Sequence, residues 1–251
     1  MKKAPFLSLL TIFSLGSITN TFANENRFSE MQQNMLARPT RIYFGPEILL
    51  FQVDTHVHNI HIDDQEFFWG LKLGYEYLKP QAFYAAAEML VTNTNQNFSF
   101  SQDSLVYNGQ RSSGFGNIQT RFGYTLSRSH QLITPFLGLG VYALSKHHHN
   151  GFQEVMGYLS GGVRTQFECT SAVLIGVNAE IFRTLGVKQS VTIENEKFTK
   201  HTNDWGCNIG VPLTIRLSRG WDMQLTPYFL RLLFSESQNI YGTTLLFGYR
   251  F

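Results

Sequence analysis

From residue 41 onward, apolar residues alternate with polar or small ones in segments of roughly ten to fifteen residues, and almost no window carries the i, i+3, i+4 stripe of a helix. A period of two places successive side chains on opposite faces of a strand. Residues 67–78 read most clearly: Phe67, Trp69, Leu71, Leu73, Tyr75 and Tyr77 share one face, while Gly70, Lys72, Gly74 and Glu76 share the other. In 116–126, Ile118, Phe122 and Tyr124 oppose Asn117, Gln119, Arg121 and Gly123. In 173–182, Val173, Ile175, Val177, Ala179 and Ile181 alternate with Gly176, Asn178 and Glu180. In 205–217 the apolar set Trp205, Cys207, Ile209, Val211, Leu213 and Ile215 faces away from Asn208, Gly210, Thr214 and Arg216. Less regular strands fall at 41–53, 82–91, 133–143, 155–167 and 222–233, and a final one at 240–251, for a total of about ten.

The links between these strands alternate in length. Short ones sit at 79–80, 127–130, 168–171 and 218–220, and longer ones at 54–64, 93–111, 145–151 and 186–203. Short turns on one side and long loops on the other are the arrangement of a barrel threaded through a membrane, and an even strand count leaves both chain ends on the short-turn side. The pattern therefore predicts an all-β chain: a closed antiparallel transmembrane β-barrel over residues 40–251, with about ten strands, or eight as the alternative. A soluble β-sandwich would also alternate. Against it stand Trp69, Tyr75, Tyr77, Tyr124, Trp205, Trp221 and Tyr249, which fall near strand ends, where a membrane barrel carries its two interfacial girdles. Pro212 and Pro227 lie nearly opposite each other across the 218–220 turn, and proline donates no ladder hydrogen bond, so a bulge or a locally broken ladder is expected there. Residues 24–39, with Met31, Gln32, Gln33 and Met35, fit no strand and read as a loose periplasmic lead-in.

The first residues change the meaning of the composition. Lys2 and Lys3 precede an apolar stretch at 6–18, of only about a dozen residues where a spanning helix needs ~20, and Thr21 and Ala23 suit cleavage after Ala23. Residues 1–23 thus read as a secretory signal peptide. No cysteine follows the apolar core, so no lipid anchor is expected at the cleavage point. Of 20 Lys and Arg, two leave with this segment, which sets 18 bases against 18 acids in the remainder. A balanced charge with no basic stripe predicts no nucleic-acid partner. No linker or composition break divides the chain, so one domain is expected. Cys169 falls in a turn and Cys207 about a strand length away, too far for a disulfide, and both are read as unpaired thiols.

The terminal strand presents Tyr241, Thr243, Leu245, Phe247, Tyr249 and Phe251 on one face, with Gly242, Thr244, Gly248 and Arg250 on the other. It resembles the C-terminal signal of bacterial outer-membrane proteins, in which alternate apolar residues lead to a final aromatic. Leu245, Phe247, Tyr249 and Phe251 occupy the signal positions. The whole pattern is similar to the small Gram-negative outer-membrane barrels of the OmpA and OmpX type, which commonly have eight strands. The resemblance implies location in the cell outer membrane among its lipids and lipopolysaccharide, with delivery by periplasmic chaperones to the barrel-assembly machinery. It implies function only loosely.

Candidate chemistry is sparse. The polar strand faces carry Glu47, Glu76, Glu88 and Glu180 with Lys72, Arg121, Arg164, Arg216 and Arg250. These are read as a lumen ion-pair network that stands in for an apolar core, with Lys72 and Glu88 paired across the 79–80 turn. A narrow small-solute channel is the runner-up. His56, His58 and His61 share one outward loop and His147, His148 and His149 another. Imidazoles bind transition metals, but the spacing matches no closed motif, so these are weak candidates and no metal or cofactor is expected. Asp63 and Asp64 with His58 or His61 form the one acid–histidine constellation of the kind an outer-membrane hydrolase uses, and it is too slight to assign catalysis. The expected protein is non-enzymatic, a barrel whose loops, above all 93–111 and 186–203, meet an extracellular ligand or surface in a structural or adhesive role.

Overall fold

The computed structural model describes residues 30–251 apart from 58–59, 103–104, 148–150, 194–195, 203–204, 218–219 and 234–236, and gives backbone alone at 30–31, 53–64, 95–111, 146–152, 187, 189–204 and 232–237. The signal segment 1–23, with its cleavage point, lies outside the described residues. Among the described residues the chain forms one helix, α1 (Glu30–Ala37), and twelve strands. They are β1 (Thr40–Val57), β2 (Ile60–Leu78), β3 (Ala82–Gln102), β4 (Leu105–Arg128), β5 (Gln131–His147), β6 (Gly151–Glu168), β7 (Val173–Ile193), β8 (Glu196–Thr202), β9 (Trp205–Gly210), β10 (Leu213–Arg216), β11 (Trp221–Leu233) and β12 (Ser237–Arg250).

Each strand from β1 to β7 pairs antiparallel with the next, β11 pairs with β12, and β12 returns to β1. β8, β9 and β10 follow one another along a single wall position between β7 and β11, so the closed wall is ten strands round. The start of β1 and the residue after β12 meet at the short-turn rim, where Phe251 N donates to Thr40 O at 3.0 Å and Thr40 N to Phe251 O at 3.3 Å. No helix among the described residues is long and apolar enough to cross a membrane.

The alternation sorts the faces as a membrane barrel requires. The outward side chains are large and apolar, with Leu137 72 % and Trp69 66 % exposed, while Arg41, Glu47, Glu76 and Arg164 point inward and are buried. Such an apolar surface would aggregate in water and is at home in hydrocarbon. Aromatic pairs mark its margins: Trp221 with Tyr249 near the short turns, and Phe229 with Tyr241 toward the opposite end, both with ring centroids 5.0 Å apart.

Two expectations need correction. The long connections are not loops. β3 and β4 stay in register from Asn93↔Gly114 to Gln102↔Leu105, and β7 and β8 from Val187↔Thr202 to Ile193↔Glu196, so 93–111 and 186–203 extend the wall as hairpin arms. Few of these residues are apolar, so the alternation fades while the backbone ladder continues. The lead-in is not loose either. α1 tucks into the short-turn end of the barrel, where Met35 packs with Leu78, Tyr84, Leu132 and Leu174 and Gln32 is also buried. Two turns of helix are too short for periodicity to stand out in sequence. The prolines behave as expected, in the form of a locally broken ladder. Pro212 interrupts the ladder between β9 and β10, yet Gly210↔Tyr228 and Leu213↔Leu225 keep one register, so the ladder breaks without a bulge. Val211 N donates to Pro227 O at 3.0 Å, and Gly176 N to Pro212 O at 2.8 Å, which keeps the neighbouring groups satisfied. The bulge falls instead at Leu185 in β7, where pairing steps from Tyr158↔Thr184 to Gly157↔Gly186.

Inside the wall, crowding is relieved by glycines that lie beneath rings of the adjacent strand: Gly74 under Tyr43, Gly140 under Tyr158, Gly206 under Phe182 and Gly242 under Tyr228. A Cβ at Gly74 would occupy the Tyr43 ring, whereas one at outward Gly157 meets nothing within 4 Å. Gly74→Ala is therefore expected to destabilise the barrel by about 1–3 kcal/mol through overpacking, and Gly157→Ala to change it by less than about 0.5 kcal/mol. Urea unfolding in lipid vesicles, followed by tryptophan fluorescence, reads both.

Candidate functional site: the filled lumen

Because inward positions recur every second residue on all ten wall strands, the lumen receives one side chain from each strand at each level, and the side chains stack in layers. Toward the long-arm end, Ser113 Oγ donates to Glu66 Oε1 at 3.2 Å and Gln238 Nε2 to Glu154 Oε2 at 3.2 Å. Below lies an apolar layer of Leu49, Phe51, Phe68, Phe115, Tyr142 and Met156, in which the Phe115 and Tyr142 rings meet edge to face at 4.9 Å. A charged layer follows. The Met35 cluster and α1 close the short-turn end.

The charged layer has two parts. In the first, Glu88 is the hub: its Oε2 lies 3.3 Å from Lys72 Nζ and 3.5 Å from Arg121 Nη1, and its Oε1 accepts from Tyr43 OH at 2.6 Å. Arg121 reaches on to Glu180 Oε2 at 3.3 Å and to Gln119 Oε1 at 2.7 Å, while Gln119 donates to Glu180. Its guanidinium also sits 5.2 Å from the Phe136 ring centre. Glu47 accepts from Tyr228 OH on the far side of the same level. In the second part, Arg164 pairs with Glu76, Arg250 bridges Glu76 at 3.8 Å and Asp222 at 3.5 Å, and Arg41 binds Asp222 while donating to Gln224 Oε1 at 3.0 Å. Arg216 stands apart at the short-turn rim, 3.9 Å from Glu168 and donating to Ser171 O at 3.0 Å.

Five bases (Arg41, Lys72, Arg121, Arg164, Arg250) thus face five acids (Glu47, Glu76, Glu88, Glu180, Asp222) within one layer. Removing a charge from water costs several kcal/mol, which is offset only when its partners are close and its hydrogen bonds are made. A balanced, cross-linked layer meets that condition. A cavity of about 100 Å³ remains among Glu47, Lys72, Asn117, Asn178, Asn208 and Tyr228, room for a few small molecules the size of water.

Arg41, Asp222, Tyr43, Tyr228 and Gln119 belong to this layer and were not among the sequence candidates. Their signal was present: Arg41 shares its face with Tyr43 and Glu47, and Asp222 shares its face with Gln224. Both charged residues open their strands, where a charge reads as a strand end. The terminal signal positions lie on β12, where Phe247, Tyr249 and Phe251 point outward and Leu245 is half-buried, and Phe247 packs across the β1 seam on Phe44 at 6.5 Å. Cys169 and Cys207 are unbonded. The side chains of His56, His58, His61, Asp63, Asp64, His147, His148 and His149 lie outside the described residues; the β1–β2 ladder places His56 opposite His61 and Asp54 opposite Asp63.

A closed antiparallel ten-strand wall with an apolar outside and a charge-balanced inside defines an outer-membrane β-barrel. No family model and no curated protein matches the chain. Among solved structures it is similar to the outer-membrane protease OmpT from Escherichia coli, with a TM-score of 0.50 and 8 % identity over 84 % of this chain and 96 % of that one. It also matches the β domain of the Bordetella autotransporter BrkA, at TM-score 0.48 and 8 % identity over 85 % and 100 %, and the attachment invasion locus protein Ail of Yersinia pestis, at 0.42 and 12 % over 84 % and 97 %. What this chain shares with these barrels is the fold.

Arg121→Met leaves Glu180 and part of Glu88 buried without a countercharge, and is expected to cost about 3–5 kcal/mol. Arg121→Met with Glu180→Gln should recover a measurable part of that loss in the same unfolding assay, because the second change removes the stranded charge.

Proposed function

We propose that this protein is a non-enzymatic outer-membrane barrel with a closed lumen, which uses its hairpin arms to contact an extracellular ligand or surface. The observation that supports this reading is a pair of buried apolar clusters, one around Phe51, Phe115 and Tyr142 toward the long arms and one around Met35 at the short-turn end, with the charged layer between them; the proposal takes them as two seals. Export by residues 1–23 and recognition of Leu245, Phe247, Tyr249 and Phe251 by the barrel-assembly machinery belong to the same proposal. The arms support it further, since paired strands that continue past the apolar wall give a rigid platform for contacts at the surface.

A narrow channel is the second reading, and the polar cavity beside Lys72 and Glu88 favours it. Conduction would require both seals to open. The deciding measurement is single-channel current in a planar bilayer for refolded residues 24–251 and for the same chain lacking residues 24–37. The expected result is silence from both, because the upper apolar layer persists when α1 is gone. Discrete steps from either, altered by Lys72→Met or Glu88→Gln, would replace the closed-barrel reading with the channel.

A further inference from the structure

The outer wall carries charge of one sign, and most of it lies in one place. Among the described residues the outward positions of the strands hold Arg128, Arg183, Lys188 and Arg231 and no acid, since Glu47, Glu66, Glu76, Glu88, Glu154, Glu168, Glu180 and Asp222 all face the lumen. Arg128 borders a short turn. The other three lie on the long-arm half of β7 and β11, which flank β9. Arg183 pairs with Trp205, and Arg231 pairs with Cys207 two positions along β9, so the two arginines stand two strands apart, roughly 10 Å across the sheet. The Arg183 guanidinium lies over the Trp205 ring, 5.6 Å from its centre, and both side chains are exposed. Lys188 follows beyond the Leu185 bulge, opposite outward Val155.

On a wall facing lipid, a cation costs up to about 2–4 kcal/mol at the bilayer midplane and little near the interface. Three cations with no anion among the described outward residues leave the membrane itself to supply the countercharge. Trp205 places the cluster at headgroup depth, where tryptophan concentrates. Its position toward the long arms assigns it to the outer leaflet. Guanidinium groups bind phosphate oxygens through paired N–H donors, and three cations on one patch match a headgroup that carries more than one negative charge.

We infer that Arg183, Arg231 and Lys188, with Trp205 packed between the arginines, form a binding site on the outer wall for a doubly phosphorylated glycolipid of the outer leaflet. The inference rests on the outer-membrane reading. The test is native mass spectrometry of the refolded chain, released from detergent containing bisphosphorylated lipid A, dephosphorylated lipid A or phosphatidylglycerol. Heat-dependent gel mobility is recorded first for every variant. Arg183→Gln with Arg231→Gln is expected to weaken retention of the phosphorylated glycolipid roughly thirtyfold, and Lys188→Gln alone roughly fivefold, as basic groups at an anionic lipid surface contribute. Arg183→Lys with Arg231→Lys should restore only part of the binding, because the charge remains while the paired N–H donors are lost, and dephosphorylated lipid should be lost from the native protein. A chain that shows no heat-dependent mobility overturns the membrane reading and the site with it. A folded barrel that retains both glycolipids equally, or whose glutamine variants bind undiminished, overturns the site alone. Equal retention of phosphatidylglycerol overturns the assignment to a glycolipid.

Discussion

Every backbone N–H and C=O that enters hydrocarbon must find a partner within the protein, and this constraint organises the rest of the molecule. A sheet can satisfy it only by closing on itself, which is why β12 returns to β1 and the start of β1 and the residue after β12 share hydrogen bonds at the rim. Closure in turn admits little irregularity. Pro212 removes a donor but leaves the register untouched, and the single residue Leu185 is accommodated as a bulge high on β7, toward the arms.

Closing a ten-strand wall creates an interior that must be filled, and the filling is constrained by geometry as well as polarity. Rings from one strand lie over glycines of the next, so Tyr43, Tyr158, Phe182 and Tyr228 reach across the lumen where any larger neighbour would push them out. Two of those tyrosines then serve the charged layer, with Tyr43 donating to Glu88 and Tyr228 to Glu47. Packing and charge compensation are therefore coupled: the glycine that admits the ring also places the hydroxyl that satisfies the carboxylate.

The same coupling explains why the lumen is layered. Buried apolar clusters lie on either side of the ion pairs, and in such surroundings each lost partner is costly. The outer wall shows the opposite pattern: among the described outward strand residues, charge is limited to Arg128 beside a short turn and to Arg183, Lys188 and Arg231 toward the long arms.

Much of this was legible in the chain because a strand reports both of its environments at once. The alternation at Phe67, Trp69, Leu71 and Leu73 against Gly70, Lys72 and Gly74 determined the strands, their inward faces, the short turns and the membrane-barrel class, and parity alone put Lys72, Glu88, Arg121 and Glu180 on one side. The signal weakens where the two environments become alike. In 93–111 and 186–203 few residues are apolar, so only the folded backbone shows that the ladder continues. Lys72 and Glu88 could be matched across their short turn, but the distant pairs were beyond the sequence, since Arg41 and Asp222 are 181 positions apart and are joined only by closure of the wall. The α1 plug depended on tertiary structure for the same reason: Met35 is buried by Leu78, Tyr84, Leu132 and Leu174, residues of four strands that come together only once the barrel exists.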